Sequence, residues 1–459
     1  MRVAVCLFAI LPLFVAAVNA ADAPAGKDRC VVLISLDGLA NFYLDDPKAE
    51  MPYLKSLIKS GTRSAGTVCT FPTVTWPNHT TMVTGVPAAE HGVLGNDYLD
   101  RKTAEKVQLL TDPVFDKDEV VTSPTIYDVA HAAGLKTAGI IWPATRNAKT
   151  LDFQVPDMAK DGWQKYGTPT WLEELRQAGI PVDKHGTYCT DSSGGGVLRD
   201  WLYTKLADHL FQNHPPNLLL VHLIEVDHIE HKYGPQSPEA YWAVKFIDDR
   251  LRDVVESSKK SPYADKTTFV IVSDHGFLPI TREIRPNVLL KQAGLITGDG
   301  KGPANRQVYS VANGGGCLVY LLDPAKKAEL MPKLIEKLGA IEGVDTVITP
   351  DRFAELGLAS PEKDPRAPDF WLAAKSGYSF SDSIVGDDVV TLRETPGGTH
   401  GYLPNQAPLH GTLVLNGYGV KAGGQLPIVS NMDIAPTIAA LLGVKMPTAK
   451  GKVLKDALH

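Results

Sequence analysis

Cysteine is scarce in this chain, with five residues in 459. No two of them have Cys-x-x-Cys spacing, which argues against a structural zinc site built on thiolates. Cys6 falls in an N-terminal apolar run. Cys30, Cys69, Cys189 and Cys317 permit disulfides in an oxidising compartment, but four thiols allow three pairings and sequence does not choose among them. Basic charge is not in excess either. Lys and Arg number 46 against 52 Asp and Glu, a net charge of −6. That mild acidity argues against binding a nucleic-acid duplex, which needs a basic face. Beyond the N-terminus no stretch is apolar enough to cross a bilayer. No internal repeat or low-complexity tract stands out. With 44% apolar and 21% charged residues, global disorder is excluded and a sizeable core is expected.

The one long apolar run is Val3 to Val18, preceded by Arg2 and followed by the small residues of Val18-Asn19-Ala20. Residues 1–20 are therefore expected to be a secretory leader cleaved before Ala21, and the protein to be periplasmic or secreted. Residues 21–459 are expected to form one large domain. Within it, Val31 to Leu36, Leu218 to Leu223, Phe269 to Ser273 and Gly411 to Leu415 read as strands. They are continuous apolar runs, the pattern of strands covered on both faces as in a parallel sheet. Between them lie helical patterns: Ile126 to Ala133 before Gly134, Tyr241 to Val255, and a segment capped by Asp433 that runs to Leu442 and stops at Gly443. The alternation implies an α/β sandwich. The stretch at about 278–394, with short strands, helices and Pro/Gly loops, reads as an insertion or lid.

Polar residues gather where strand runs stop. Asp37 follows the first run, and Asp274 and His275 follow the third. Ligand sites in open α/β sheets form at such carboxyl ends. One Asp there is an ordinary turn former. Several together repel one another unless a cation sits between them. Asp227 and His231, four apart, face the same way on a helix. His222, Glu225, His228 and Glu230 are their neighbours; His228 and Glu230 would point to other faces, and His222 reads as a core strand residue. His400 lies in a glycine-rich loop, Gly397-Gly398-Thr399-His400-Gly401. Imidazole with carboxylate suits zinc better than magnesium or calcium, and this many ligands suggests two metals about 4 Å apart. The segment Phe71 to Met82 supplies a nucleophile candidate. Pro77 fits a first helical turn, which puts Thr75 near the N-cap; Thr73 is its neighbouring rival.

Taken in order, Asp37-Gly38, Thr70 to His79, Gly85, His91-Gly92, Asn96, Asp227 with His231 and Lys232-Tyr233-Gly234-Pro235, Ser273 to Gly276, and His400-Gly401-Tyr402 span most of the chain. This set resembles the nucleotide pyrophosphatase/phosphodiesterase family of the alkaline phosphatase superfamily. The resemblance implies an alkaline-phosphatase-like three-layer α/β sandwich with a mostly parallel central sheet. It also implies two zinc ions, one held by Asp227, His231 and His400, the other by Asp37, Asp274 and His275. Thr75 would be the nucleophile beside the second metal. Asn96 would donate to a phosphate oxygen, and Trp76 would form one wall of a slot for the leaving group. Departures exist. Ile141-Trp142-Pro143-Ala144-Thr145-Arg146 is similar to a Trp-Pro-Gly stretch of the family without its Gly, and Arg146 is either a surface residue or a phosphate reader.

The expected function is a secreted two-zinc phosphodiesterase or nucleotide pyrophosphatase working through a covalent phosphothreonine on a small phosphate ester. The alternative on the same scaffold is a phosphomonoesterase or phosphonate hydrolase. A binding module that kept the fold is disfavoured, since it would not need the full ligand set.

Overall fold

The computed structural model describes residues 26–109, 115–190, 194–298 and 303–459. The expected leader, residues 1–20, lies outside them.

Eight strands form the central sheet. In spatial order they are Gly424–Leu426, Thr62–Ser64, Leu413–Gly417, Thr267–Val272, Cys30–Leu36, Leu218–Leu223, Thr137–Ile140 and Phe153–Val155. Cys30–Leu36 is central, with Ile34 between Val221 on one side and Ile271 on the other, both partners parallel. Thr137–Ile140 and Phe153–Val155 extend the parallel set. Alternate residues of the middle strands face opposite layers. Val32 and Ile34 pack with Leu206, Leu210, Val244 and Leu251 from the helices Gly195–Asn213 and Pro238–Ser257. Val31 and Leu33 pack with Met82, Ile126, Ile434 and Ile438 on the other face. Burial on both faces is why these strands are apolar throughout.

One strand departs from expectation. Leu413–Gly417 lies antiparallel to both Thr267–Val272 and Thr62–Ser64. Its apolar run reflects coverage on both faces, which does not depend on direction.

A second core lies where residues 278–394 were expected to form an insertion. There an antiparallel sheet of Val308–Asn313, Gly316–Leu321, Phe370–Ala374 and Val344–Ile348 packs Leu318, Tyr320, Trp371 and Leu372 into a cluster that also takes in Phe71 and Trp76. The chain enters this lobe along Leu278–Ile284, directly after His275, and returns along Val390–Thr399, directly before His400. Those two strands pair antiparallel, with Leu278 opposite Thr399. The pairing delivers His275 and His400 to one place.

The helix ends follow local rules with small shifts. Gly134 and Gly443 take the positive φ expected after helices, 74° and 67°, a region open to glycine at little cost. Asp433 precedes the helix Ile434–Leu442, but its carboxylate does not cap it. It accepts instead from the backbone N–H groups of Ser430 and Lys452.

Candidate metal centre

Two groups of side chains converge at the carboxyl end of the sheet. Asp227, His231 and His400 form one, and Asp37, Asp274 and His275 the other; within each, one ligand atom per residue lies within 4.8 Å of the rest. Asp37 follows Cys30–Leu36 and Asp274 follows Thr267–Val272, so neighbouring parallel strands set them side by side. Asp227 and His231 share a face of the helix Glu225–Tyr233, with His231 Nε2 3.4 Å from Asp227 Oδ1. His400 Nε2 lies 3.1 Å from His231 Nε2 and 3.5 Å from Asp227 Oδ1. The two groups adjoin, since the His275 and His400 rings stack with centroids 3.6 Å apart.

The chemistry of this donor set fits a cation. Asp37 Oδ1, Asp227 Oδ1, Asp274 Oδ2 and His275 Nε2 are buried without hydrogen-bond partners. Buried polar atoms are ordinarily paired, so several left over and facing one another point to a partner of opposite charge. Burial, then the charges of Asp274 and Asp227, push the Asp37 carboxyl well above the usual carboxylate range. Burial would raise Asp274 too, but His275 and His79 more than offset it and hold it low. In the same way burial would raise Asp227, but His231 and then His400 outweigh it and hold that carboxyl low. His400 is driven well below its ordinary value by burial and then by His275 and His231. A neutral imidazole keeps the lone pair a metal requires. Mixed carboxylate and imidazole donors suit zinc.

Thr75 opens the helix Thr75–Thr84, one residue further in than an N-cap; Val74 occupies the cap. The Asn78 side chain fixes this start. Its Nδ2 donates to the carbonyls of Pro72 and Val74, and its Oδ1 accepts from Thr70 N–H. Thr75 is 6% exposed and lines a cavity of about 300 Å³ together with Asp37, Asn96, Asp227, His231 and His400. Asp274 and His275 lie behind that surface, fully buried. Asn96 Oδ1 accepts from Trp76 N–H at 2.9 Å, which leaves its NH₂ end for a ligand. Thr73, the rival, is bound into the frame: its hydroxyl donates to Tyr402 O at 3.0 Å and accepts from Gly401 N–H. The Trp76 ring is buried in the second core rather than among the residues facing the cavity.

Other candidates are engaged elsewhere. Arg146 pairs with Asp116 at 2.6 Å and lies over the Tyr166 ring; it is not among the cavity residues. Glu230 turns away to accept from Tyr43 Oη at 2.5 Å. His228 faces Glu225 at 3.3 Å. Cys30, Cys69, Cys189 and Cys317 are free thiols.

Several cavity residues escaped the sequence reading. His222 Nε2 lies 2.7 Å from Asp37 Oδ2, an outer partner for that carboxylate rather than a plain core residue. Its signal was its place one step before a strand end, in register with Ser35. Asp157 and Arg199 also line the cavity, and nothing in their local sequence marks them.

Mixed carboxylate and imidazole clusters at the carboxyl end of an α/β sheet, with a threonine at a helix start beside them, define the class of alkaline-phosphatase-like metal centres. The chain belongs to the type I phosphodiesterase/nucleotide pyrophosphatase family, whose model matches residues 31–403. Among curated relatives, the human ectonucleotide pyrophosphatase/phosphodiesterase family member 1 is 26% identical over 260 residues, covering 56% of this chain and 25% of that protein. The mouse bis(5'-adenosyl)-triphosphatase enpp4 is 23% identical over 454 residues, covering 95% of this chain and 83% of that protein. This chain thus spans about a quarter of the first relative's length and most of the second's. The solved structure of human ectonucleotide pyrophosphatase/phosphodiesterase 5 superimposes with a TM-score of 0.69 at 20% identity, covering 94% of this chain and 100% of that chain. The fold is alkaline-phosphatase-like.

Proposed function

We propose that the protein is a two-zinc phosphodiesterase or nucleotide pyrophosphatase that works outside the cytoplasm through a covalent phosphothreonine. The observation that supports this best is the meeting of two three-residue ligand groups with Thr75 at one cavity. The family, and a mouse relative named for splitting a dinucleotide triphosphate, support a nucleotide-type substrate. The apolar N-terminal run supports export.

Bound zinc would supply Lewis-acid charge that acidifies hydroxyls and offsets developing negative charge on oxygen. The ligands would be Asp227, His231 and His400 for one ion and Asp37, Asp274 and His275 for the other. Thr75 Oγ gives up its proton to solvent and attacks phosphorus; the Oγ–P bond forms and the bond to the leaving oxygen breaks in line. Water then attacks the phosphothreonine, the Oγ–P bond breaks, and Thr75 regains its proton. The helix N-terminus beneath Thr75 favours negative charge at both stages. The Asn96 amide donates to a non-bridging oxygen, a contact that strengthens as charge grows there.

The test is a panel of nucleotides, dinucleotides, lipid head-group diesters and monoesters on zinc-loaded protein. Diester or pyrophosphate turnover that chelation abolishes and zinc restores is expected. Full activity without metal, or hydrolysis of monoesters alone, would reject the proposal.

A further inference from the structure

The cavity has a second wall with no part in the chemistry above. Beside Thr75 and the metal ligands, Arg199, Tyr203, His185 and Asp157 also line the cavity. Arg199 projects from the second turn of the helix Gly195–Asn213. A guanidinium is charged at every physiological pH. Its Nε is buried without a hydrogen-bond partner, although it borders the cavity. Among the described residues no carboxylate forms an ion pair with it, Asp157 included. The wall behind it is braced. Tyr203 Oη lies 2.9 Å from His185 Nε2, and the His185 ring stacks on Trp163 with centroids 3.7 Å apart. Arg199 as a whole is half-buried, and the carboxylates of Asp157, Asp200 and Glu225 act on it through space, so a guanidinium with an unused donor borders the cavity and would strengthen the hold on an anion bound there.

The remaining geometry bounds the ligand. About 300 Å³ is the lower end of small-molecule sites. Trp76 and Trp163 are each only 1% exposed, and the rings that line the cavity are those of Tyr203 and several histidines. Asp157 adds a hydrogen-bond acceptor beside Arg199.

We propose that Arg199 determines specificity by binding a second anionic group, a carboxylate or a further phosphate, on the ester held at Thr75. The preferred substrates are then phosphate esters bearing that extra charge. This rests on the phosphoesterase reading of the cavity.

Two ligand pairs test it by calorimetry on the zinc-loaded full chain. O-Phosphoserine against O-phosphoethanolamine isolates a carboxylate; propane-1,3-diol bisphosphate against propyl phosphate isolates a second phosphate. In the wild type the doubly anionic member of one pair is expected to bind at least about tenfold tighter, the scale of one charge-assisted hydrogen-bonded contact. The pair that shows it names the anion. Arg199→Gln should bring that ratio close to one, and Arg199→Lys should retain part of it. No preference in either wild-type pair would overturn the proposal, and so would a preference that survives in Arg199→Gln. If Arg199→Gln fails to fold, the wild-type comparison together with Arg199→Lys still decides. Every chain in these binding comparisons, the one with native Arg199 included, carries Thr75→Ala, so binding is read without turnover, and hydrolysis is read separately with Thr75 in place. Failure to hydrolyse any ester would therefore reject the phosphoesterase reading, whereas a lost ratio beside intact hydrolysis would reject only the role of Arg199.

Discussion

At the scale of single residues, the sharpest distinction is between a group that reacts and a group that holds. Thr75→Ala deletes one hydroxyl at a helix start and leaves all six ligand side chains in place. Turnover should fall by at least about a thousandfold, as expected for loss of a nucleophile, while zinc content by elemental analysis stays at the wild-type level. Normal turnover in that variant would remove Thr75 from the mechanism. His222 belongs to the second kind. Its Nε2 lies 2.7 Å from Asp37 Oδ2, so His222→Phe leaves that oxygen without a partner. Outer partners of metal ligands typically carry about 10–100-fold in metal affinity. A chelator competition that found unchanged affinity would show that Asp37 does not depend on it. The two residues also mark what sequence made legible. Asp37, Asp274 and His275 announced themselves as polar residues ending apolar runs. His222 lies inside such a run, and only strand register reveals that it faces Asp37.

At the scale of elements, the helix Glu225–Tyr233 depends on another helix for its start. No side chain of its own caps it. Asp200, from Gly195–Asn213, accepts from Ile224 N–H and Glu225 N–H, each at 3.0 Å. Asp200 is fully buried, and burial, against those two bonds, pushes its carboxyl up from 3.8 to about 7. The native state therefore binds this proton more tightly than the unfolded chain does. The stabilisation is full below about pH 4 and is lost as pH rises through about 7, a swing on the order of a few kcal/mol. Asp200→Asn stays neutral and keeps one acceptor. Its stability relative to wild type should climb over that interval in denaturant titrations; parallel profiles would contradict the assignment. Element boundaries were harder to read than element identity. The run expected as Gly411 to Leu415 is the strand Leu413–Gly417, and its antiparallel direction left no trace in a pattern that records only burial.

At the scale of the whole molecule, three carboxylates and three imidazoles from distant segments meet in one buried region. Without a cation they oppose folding by mutual repulsion and desolvation. Zinc removal should thus lower the unfolding temperature as well as abolish activity, and the shift should depend on free zinc concentration as mass action requires. A melting curve indifferent to chelator would deny the site a metal. The alternation of strand and helix made the sandwich legible. The second core was not, because its short strands bury against partners such as Phe71 and Trp76 that lie hundreds of residues away.

The tight hairpin between Val308–Asn313 and Gly316–Leu321 reaches from that second core to the ligand loop. Gly315 N–H donates to His400 O at 2.7 Å, and a Cβ on Gly401, whose φ is +94°, would collide with the carbonyl oxygen of Asn313. Asn313 also accepts from Asn96 N–H at 2.8 Å. Any movement of this lobe would therefore carry His400 and Asn96 with it. A change in this hairpin should thus be felt at the cavity through the loop that carries His400.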